Sequence, residues 1–137
     1  MKTAARVVAT LLALLVGTPA WADCALDLGR ATGLVVFSSH YLVALRSEPL
    51  RIEVGEPFSL LVNACTRSNK PAELVAVDAQ MPEHKHGMNY RPTIVSLGEG
   101  RYRVDGMVFH MPGRWEINID VRDGEESERL SHEFVIK

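Results

Sequence analysis

The residues best equipped for chemistry in this chain are sulfur and imidazole donors gathered in two short knots. After the initiator, every remaining methionine lies between positions 81 and 111, and three of the five histidines lie among them. The first knot reads MPEHKHGM over residues 81–88, and the second reads GMVFHMPG over residues 106–113. Thioether sulfur is a soft ligand and imidazole a borderline one, and copper above all accepts both. One methionine in a core is filler. Two knots of Met beside His predict a metal site, with His84, His86, Met88, His110 and Met111 as ligands. Met81 and Met107 are additional candidate donors, although each also fits a core position. A Met-rich set favours Cu(I), and more histidine admits Cu(II).

Spacing sharpens the expectation. His84, His86 and Met88 are alternate residues, so an extended chain sends all three to one side. His110 and Met111 are consecutive and would diverge in a regular strand. Either the Met-Pro turn bends both toward one metal, or only one of them is a ligand. Met81 and Met111 each precede a proline, which biases them to extended geometry.

The elements that must position these donors read as strands. Residues 41–45 and 58–65 are apolar runs, and residues 50–54, 101–104 and 115–121 alternate in hydropathy. Residues 73–80, ELVAVDAQ, place Leu74, Ala76 and Asp78 on one side and Val75, Val77 and Ala79 on the other. Residues 130–136 close the chain with Phe134 and Ile136 in phase. Such period-two runs between turn residues signal strands. Turns are expected at 67–71, 97–100 and Asp123-Gly124. Residues 27–32 read as a short helix or an irregular lead-in. The pattern predicts an all-β domain, an immunoglobulin-like antiparallel β-sandwich, with a small β-barrel as the alternative. Trp115 and Tyr102 read as ordinary core residues.

Antiparallel pairing then brings the knots together. The strand at 73–80 leads into the first knot, residues 93–97 run to the far end, and the turn at 97–100 reverses the chain. Residues 101–109 return to the starting end, where the second knot lies. If residues 93–97 cross to the other sheet, the ends still coincide, because sandwich loops gather at two ends. Arg114 and Arg91 are candidates to flank the site and pair with Glu83 or Asp105.

The N-terminus reads as a secretory signal peptide over residues 1–22. Lys2 and Arg6 precede an apolar run at 7–16 that is too short for a membrane span, and Ala20-Trp21-Ala22 is a small-x-small cleavage site. Cleavage there leaves 115 of the 137 residues, enough for one domain with a core. The leader carries two basic residues and no acid, so the net charge moves from −2 to −4. A mildly acidic domain without a basic stripe is a poor ligand for nucleic acid. Nor does it carry the polybasic cluster that holds a protein on anionic lipid. Export places Cys24 and Cys65 in an oxidising compartment, where a disulfide is the default and a thiolate metal site the minor alternative.

At these residues the chain resembles the YtkA-like domain, related in pattern to the FixH-like proteins of cytochrome oxidase assembly. The resemblance runs from about Ser47 to Lys137, leaving residues 23–46 as a lead-in tied by the disulfide. It is carried by Val54-Gly55-Glu56-Pro57, by Met81-Pro82 followed by His84, His86, Gly87 and Met88, and by Gly100-Arg101-Tyr102. The most specific part is Phe109-His110-Met111-Pro112-Gly113-Arg114-Trp115. The resemblance implies a β-sandwich exported to the envelope and an association with copper handling and oxidase assembly. The chain is also similar to periplasmic copper chaperones with a His-Met, Met, His-x-Met pattern, but its donor spacings differ. The expectation is a periplasmic or secreted copper-binding protein, a metallochaperone or store, with an envelope oxidase or copper transporter as partner. The alternative is a metal-free envelope interaction module. No catalytic residues are expected: no Ser/His/Asp spacing, acid pair or phosphate cradle is present.

Overall fold

The computed structural model describes Cys24, residues 26–28 and residues 33–137. The expected signal peptide, its cleavage site and residues 29–32 lie outside the described residues. Among the described residues nine strands follow in order: β1 Leu34–Phe37, β2 Tyr41–Glu48, β3 Pro57–Thr66, β4 Glu73–Met81, β5 His86–Gly87, β6 Thr93–Gly98, β7 Arg101–Val108, β8 Gly113–Asp123 and β9 Glu126–Ile136. They form a five-stranded sheet, β1-β2-β3-β7-β6, and a four-stranded sheet, β5-β4-β8-β9. Every pairing is antiparallel. The sheets pack face to face as a sandwich and keep free edges, so the chain is not closed into a barrel. Among the described residues no helix is long and apolar enough to cross a membrane.

Alternation along β8 builds one wall of the core. Trp115, Ile117, Ile119 and Val121 are fully buried, while the residues between them are half-exposed. The opposite wall comes from Phe58, Leu60, Val62 and Ala64 of β3. Strand β3 is buried on its outer face too, where Cys24, Asp27 and neighbouring side chains lie against it. Asn63 donates to the Asp27 carbonyl at 3.4 Å, Arg46 donates to the Leu28 carbonyl, and Cys24 is bonded to Cys65. Tyr102 points its hydroxyl to the Ala72 carbonyl at 3.0 Å, which satisfies the polar tip of a half-buried ring.

Three sequence expectations change. Residues 50–54 alternate but form no strand. Pro49 lacks the amide hydrogen a ladder needs; Leu50 and Val54 are exposed, and only Ile52 packs on the core. Residues 73–80 do not keep one phase, because a bulge at Val75 shifts the register. Leu74 faces the core before it, and Val77, Ala79 and Met81 after it. The sandwich also starts before residue 47, since β1 and most of β2 belong to the larger sheet.

A second bulge matters more for the site. Phe58 pairs with Met107 and Leu60 with Val104, so β7 carries an extra residue at Asp105-Gly106. Gly106 has φ of 83°, a conformation that glycine adopts without a Cβ clash. Ser59 and Arg103 both donate to the Asp105 carboxylate, at 2.6 and 2.7 Å. Those bonds, Ser59 foremost, hold it below the usual carboxylate range. The bulge turns the inward phase from Tyr102 and Val104 to Met107 and Phe109. Phe109 therefore enters the core, and His110 emerges at the rim.

Candidate metal centre

The first knot is a tight hairpin. Pro82 ends β4, and the His84 and Lys85 amides both donate to the Met81 carbonyl, at 3.1 and 3.0 Å. Lys85 takes a positive φ of 55° to close the turn. The chain then returns along β4, pairing His86 with Met81 and Gly87 with Gln80. The Met88 amide donates to the Ala79 carbonyl at 3.1 Å. Residues directly opposite in a ladder share a face, so His86 and Met88 stand on the inner side. Both are half-buried, and Met88 packs against the core. His84 sits in the turn rather than in an extended segment, so strand alternation is not what relates it to His86. Its exposed ring nevertheless lies 5.7 Å from the His86 ring.

The second knot follows the end of β7. Phe109 is buried, His110 and Met111 are half-buried, and Pro112 is exposed. The Trp115 indole N–H donates to the Met111 carbonyl at 2.9 Å. Gly113 begins β8 with φ of 130°, and a Cβ there would stand 2.8 Å from the Met81 methyl. The two knots thus interlock: a side chain of the first fills the space glycine leaves in the second.

Twenty-four positions separate His86 from His110 in sequence, yet their ring centroids are 5.3 Å apart. His110 Nδ1 is buried and has no hydrogen-bond partner. An orphaned buried nitrogen costs about 1–3 kcal/mol unless something binds it. The one carboxylate of the first knot, Glu83, is engaged by Arg114 at 3.3 Å, and Arg114 reaches Glu133 at 2.7 Å. Of the pairings expected for Arg114, the one with Glu83 forms, whereas Asp105 is held by Arg103. Arg91 lies instead beside Met88 and Tyr90, lining a groove between β4 and β6.

The YtkA-like family model matches residues 36–120. The chain belongs to the YtkA-like family. No curated protein and no solved structure matches it. The family match runs from within β1 to within β8 and takes in both knots of this YtkA-like chain.

Not every sulfur stands at the rim. Met81 and Met107 are 1% and 0% exposed and sit in the hydrophobic cluster as core side chains. Of the remaining candidate donors His84 is exposed, and His86, Met88, His110 and Met111 are half-buried, with both methionines packed against the edge of the core. Among the described residues no three His, Cys, Asp or Glu side chains are arranged to hold a metal ion by themselves. A metal held here would need a donor of another kind beside them, such as methionine sulfur. The donor chemistry suits that arrangement: uncharged imidazole and thioether favour a soft cation of low charge.

Sequence reasoning missed the part played by Trp115. Its ring lies 5.3 Å from that of His110 and 6.2 Å from that of His86, roughly perpendicular to both. The only sequence signal was its position four residues after Met111, just past the Pro-Gly turn.

Proposed function

We propose that this protein is an exported copper-binding protein that stores or delivers the metal or serves oxidase assembly. His84, His86 and His110 supply nitrogen, and Met88 and Met111 supply sulfur. The observation that carries the reading is the approach of His86 to His110 at 5.3 Å, with one buried nitrogen of His110 left unpartnered. Imidazole binds metal only when unprotonated, whereas thioether has no proton to lose. Acid therefore weakens the site without removing its sulfur ligands, and Cu(I) is the favoured cargo. A site on turns at an open rim suits transfer to a partner, such as an oxidase or copper transporter of the envelope. The Cys24–Cys65 disulfide supports a periplasmic or secreted location. The test is titration of the mature domain with Cu(I) and Cu(II) beside a His86→Ala/His110→Ala protein. Equal uptake by both removes the site.

A second reading, a metal-free docking module without enzymatic activity, is favoured by one feature. Exposed Val75 and Tyr90 flank the groove between β4 and β6. Partner capture that ignores a copper chelator supports this reading over the first.

A further inference from the structure

We propose that Trp115 is the positioning residue of the donor cluster, holding His86, His110 and Met111 in place and acting on the metal through Met111. This inference rests on the copper reading above. Trp115 is the third residue of β8, pairs with Phe134 of β9, and is completely buried. Phe109 stacks on its ring at 4.7 Å with the planes only 12° apart, and Phe58 supports Phe109 edge-on at 4.9 Å. The indole is thus locked in the sandwich rather than in either knot. From that fixed place it meets the first knot at His86 and the second at His110, both edge-to-face.

The hydrogen bond singles out Met111. A buried tryptophan must find an acceptor for its N–H, and here the acceptor is the carbonyl of a donor residue. Pro112 follows directly and has no amide hydrogen to stabilise the turn. The indole N–H, bonded to the Met111 carbonyl, ties the Met111-Pro112 peptide to the core and so anchors the backbone from which the Met111 side chain departs. Groups that orient a ligand typically contribute about 10–100-fold to metal affinity.

The experiment is a double-variant cycle read by competition for Cu(I) against a chromogenic chelator. Trp115→Phe keeps an aromatic ring against Phe109 and deletes the N–H. It is expected to melt cooperatively and to lose about 10-fold in Cu(I) affinity. In a Met111→Leu background the same change is expected to cost less than about 2-fold, because the sulfur it positions is gone. Replacing Trp115 by 3-benzothienylalanine, which lacks only the N–H, gives the same reading if the Phe variant fails to fold. An equal loss in both backgrounds, or full affinity in a folded protein without the N–H, overturns the inference. Failure of the unsubstituted protein to take up Cu(I) overturns the copper reading itself.

Discussion

The two rims of the sandwich treat histidine in opposite ways. At the rim that holds the β1–β2 turn, the His40 ring is bonded to the Glu128 carboxylate and lies 3.1 Å from the Ser39 hydroxyl. Tyr41 donates to the Glu126 carbonyl at 2.6 Å, Arg67 donates twice to the Ser38 carbonyl, and the Cys24–Cys65 bond closes the same end. At the other rim, His110 keeps a buried nitrogen without a partner, and the acid of the first knot, Glu83, is taken by Arg114. The same side chain is a staple where a carboxylate faces it and an open donor where none does. Acid placement, more than histidine count, separates a rim that holds the fold from one equipped to hold a ligand.

The largest expected effect breaks the open rim alone. His86→Ala/His110→Ala should lower Cu(I) affinity by about 100-fold or more, at least the upper range for losing a mere orienting group. His40→Ala should leave it unchanged, and chelator competition on both proteins checks the contrast. Removing the closed rim's covalent tie should do the reverse. Cys24→Ser/Cys65→Ser should cost about 3 kcal/mol in urea unfolding and leave Cu(I) affinity within about 2-fold. A smaller effect sharpens the meaning of the orphaned nitrogen. His110→Phe should raise metal-free stability by about 1 kcal/mol while weakening copper binding, because the unsatisfied atom is gone. A clear loss of stability would show that the nitrogen is already satisfied.

The smallest effect concerns pH. The hydrogen bond that the His40 ring donates to Glu128, reinforced by the carboxylate's charge, raises the His40 pKa above 6.5. Bonds from Ser38 and His40 lower that of Glu128 below 4.5. The histidine's contribution is complete below about pH 6.5 and fades as pH rises through its raised value. The carboxylate's contribution is present above about pH 4.5 and fades as pH falls through its lowered value. Unfolding at a series of pH values should therefore show a decline above about pH 6.5 that His40→Ala flattens.

Much of this architecture is legible in hydropathy because burial has a simple period where pairing is regular. Trp115, Ile117, Ile119 and Val121 announce β8, and the turns at 67–71, 97–100 and Asp123-Gly124 fall as their residues require. The meeting of the two knots also follows from antiparallel ends alone, whichever sheet β6 joins. What failed did so for local reasons. A bulge at Val75 changes phase without a composition signal, and residues 50–54 alternate beside a proline that denies them a ladder. Strand β1 is too short to stand out from the lead-in. Within the site, the alternate spacing of His84 and His86 suggests a strand, whereas the Met81 carbonyl gathers the His84 and Lys85 amides into a turn. Trp115 read as core, and it is, but sequence cannot show that a core ring also carries the acceptor carbonyl of Met111.

The most direct measurement is copper K-edge X-ray absorption on the Cu(I)-loaded protein. A single copper environment containing both imidazole nitrogen and thioether sulfur is predicted, with the sulfur shell lost in a Met88→Leu/Met111→Leu variant. A spectrum without sulfur, unaltered by that variant and by His86→Ala/His110→Ala, would contradict the account.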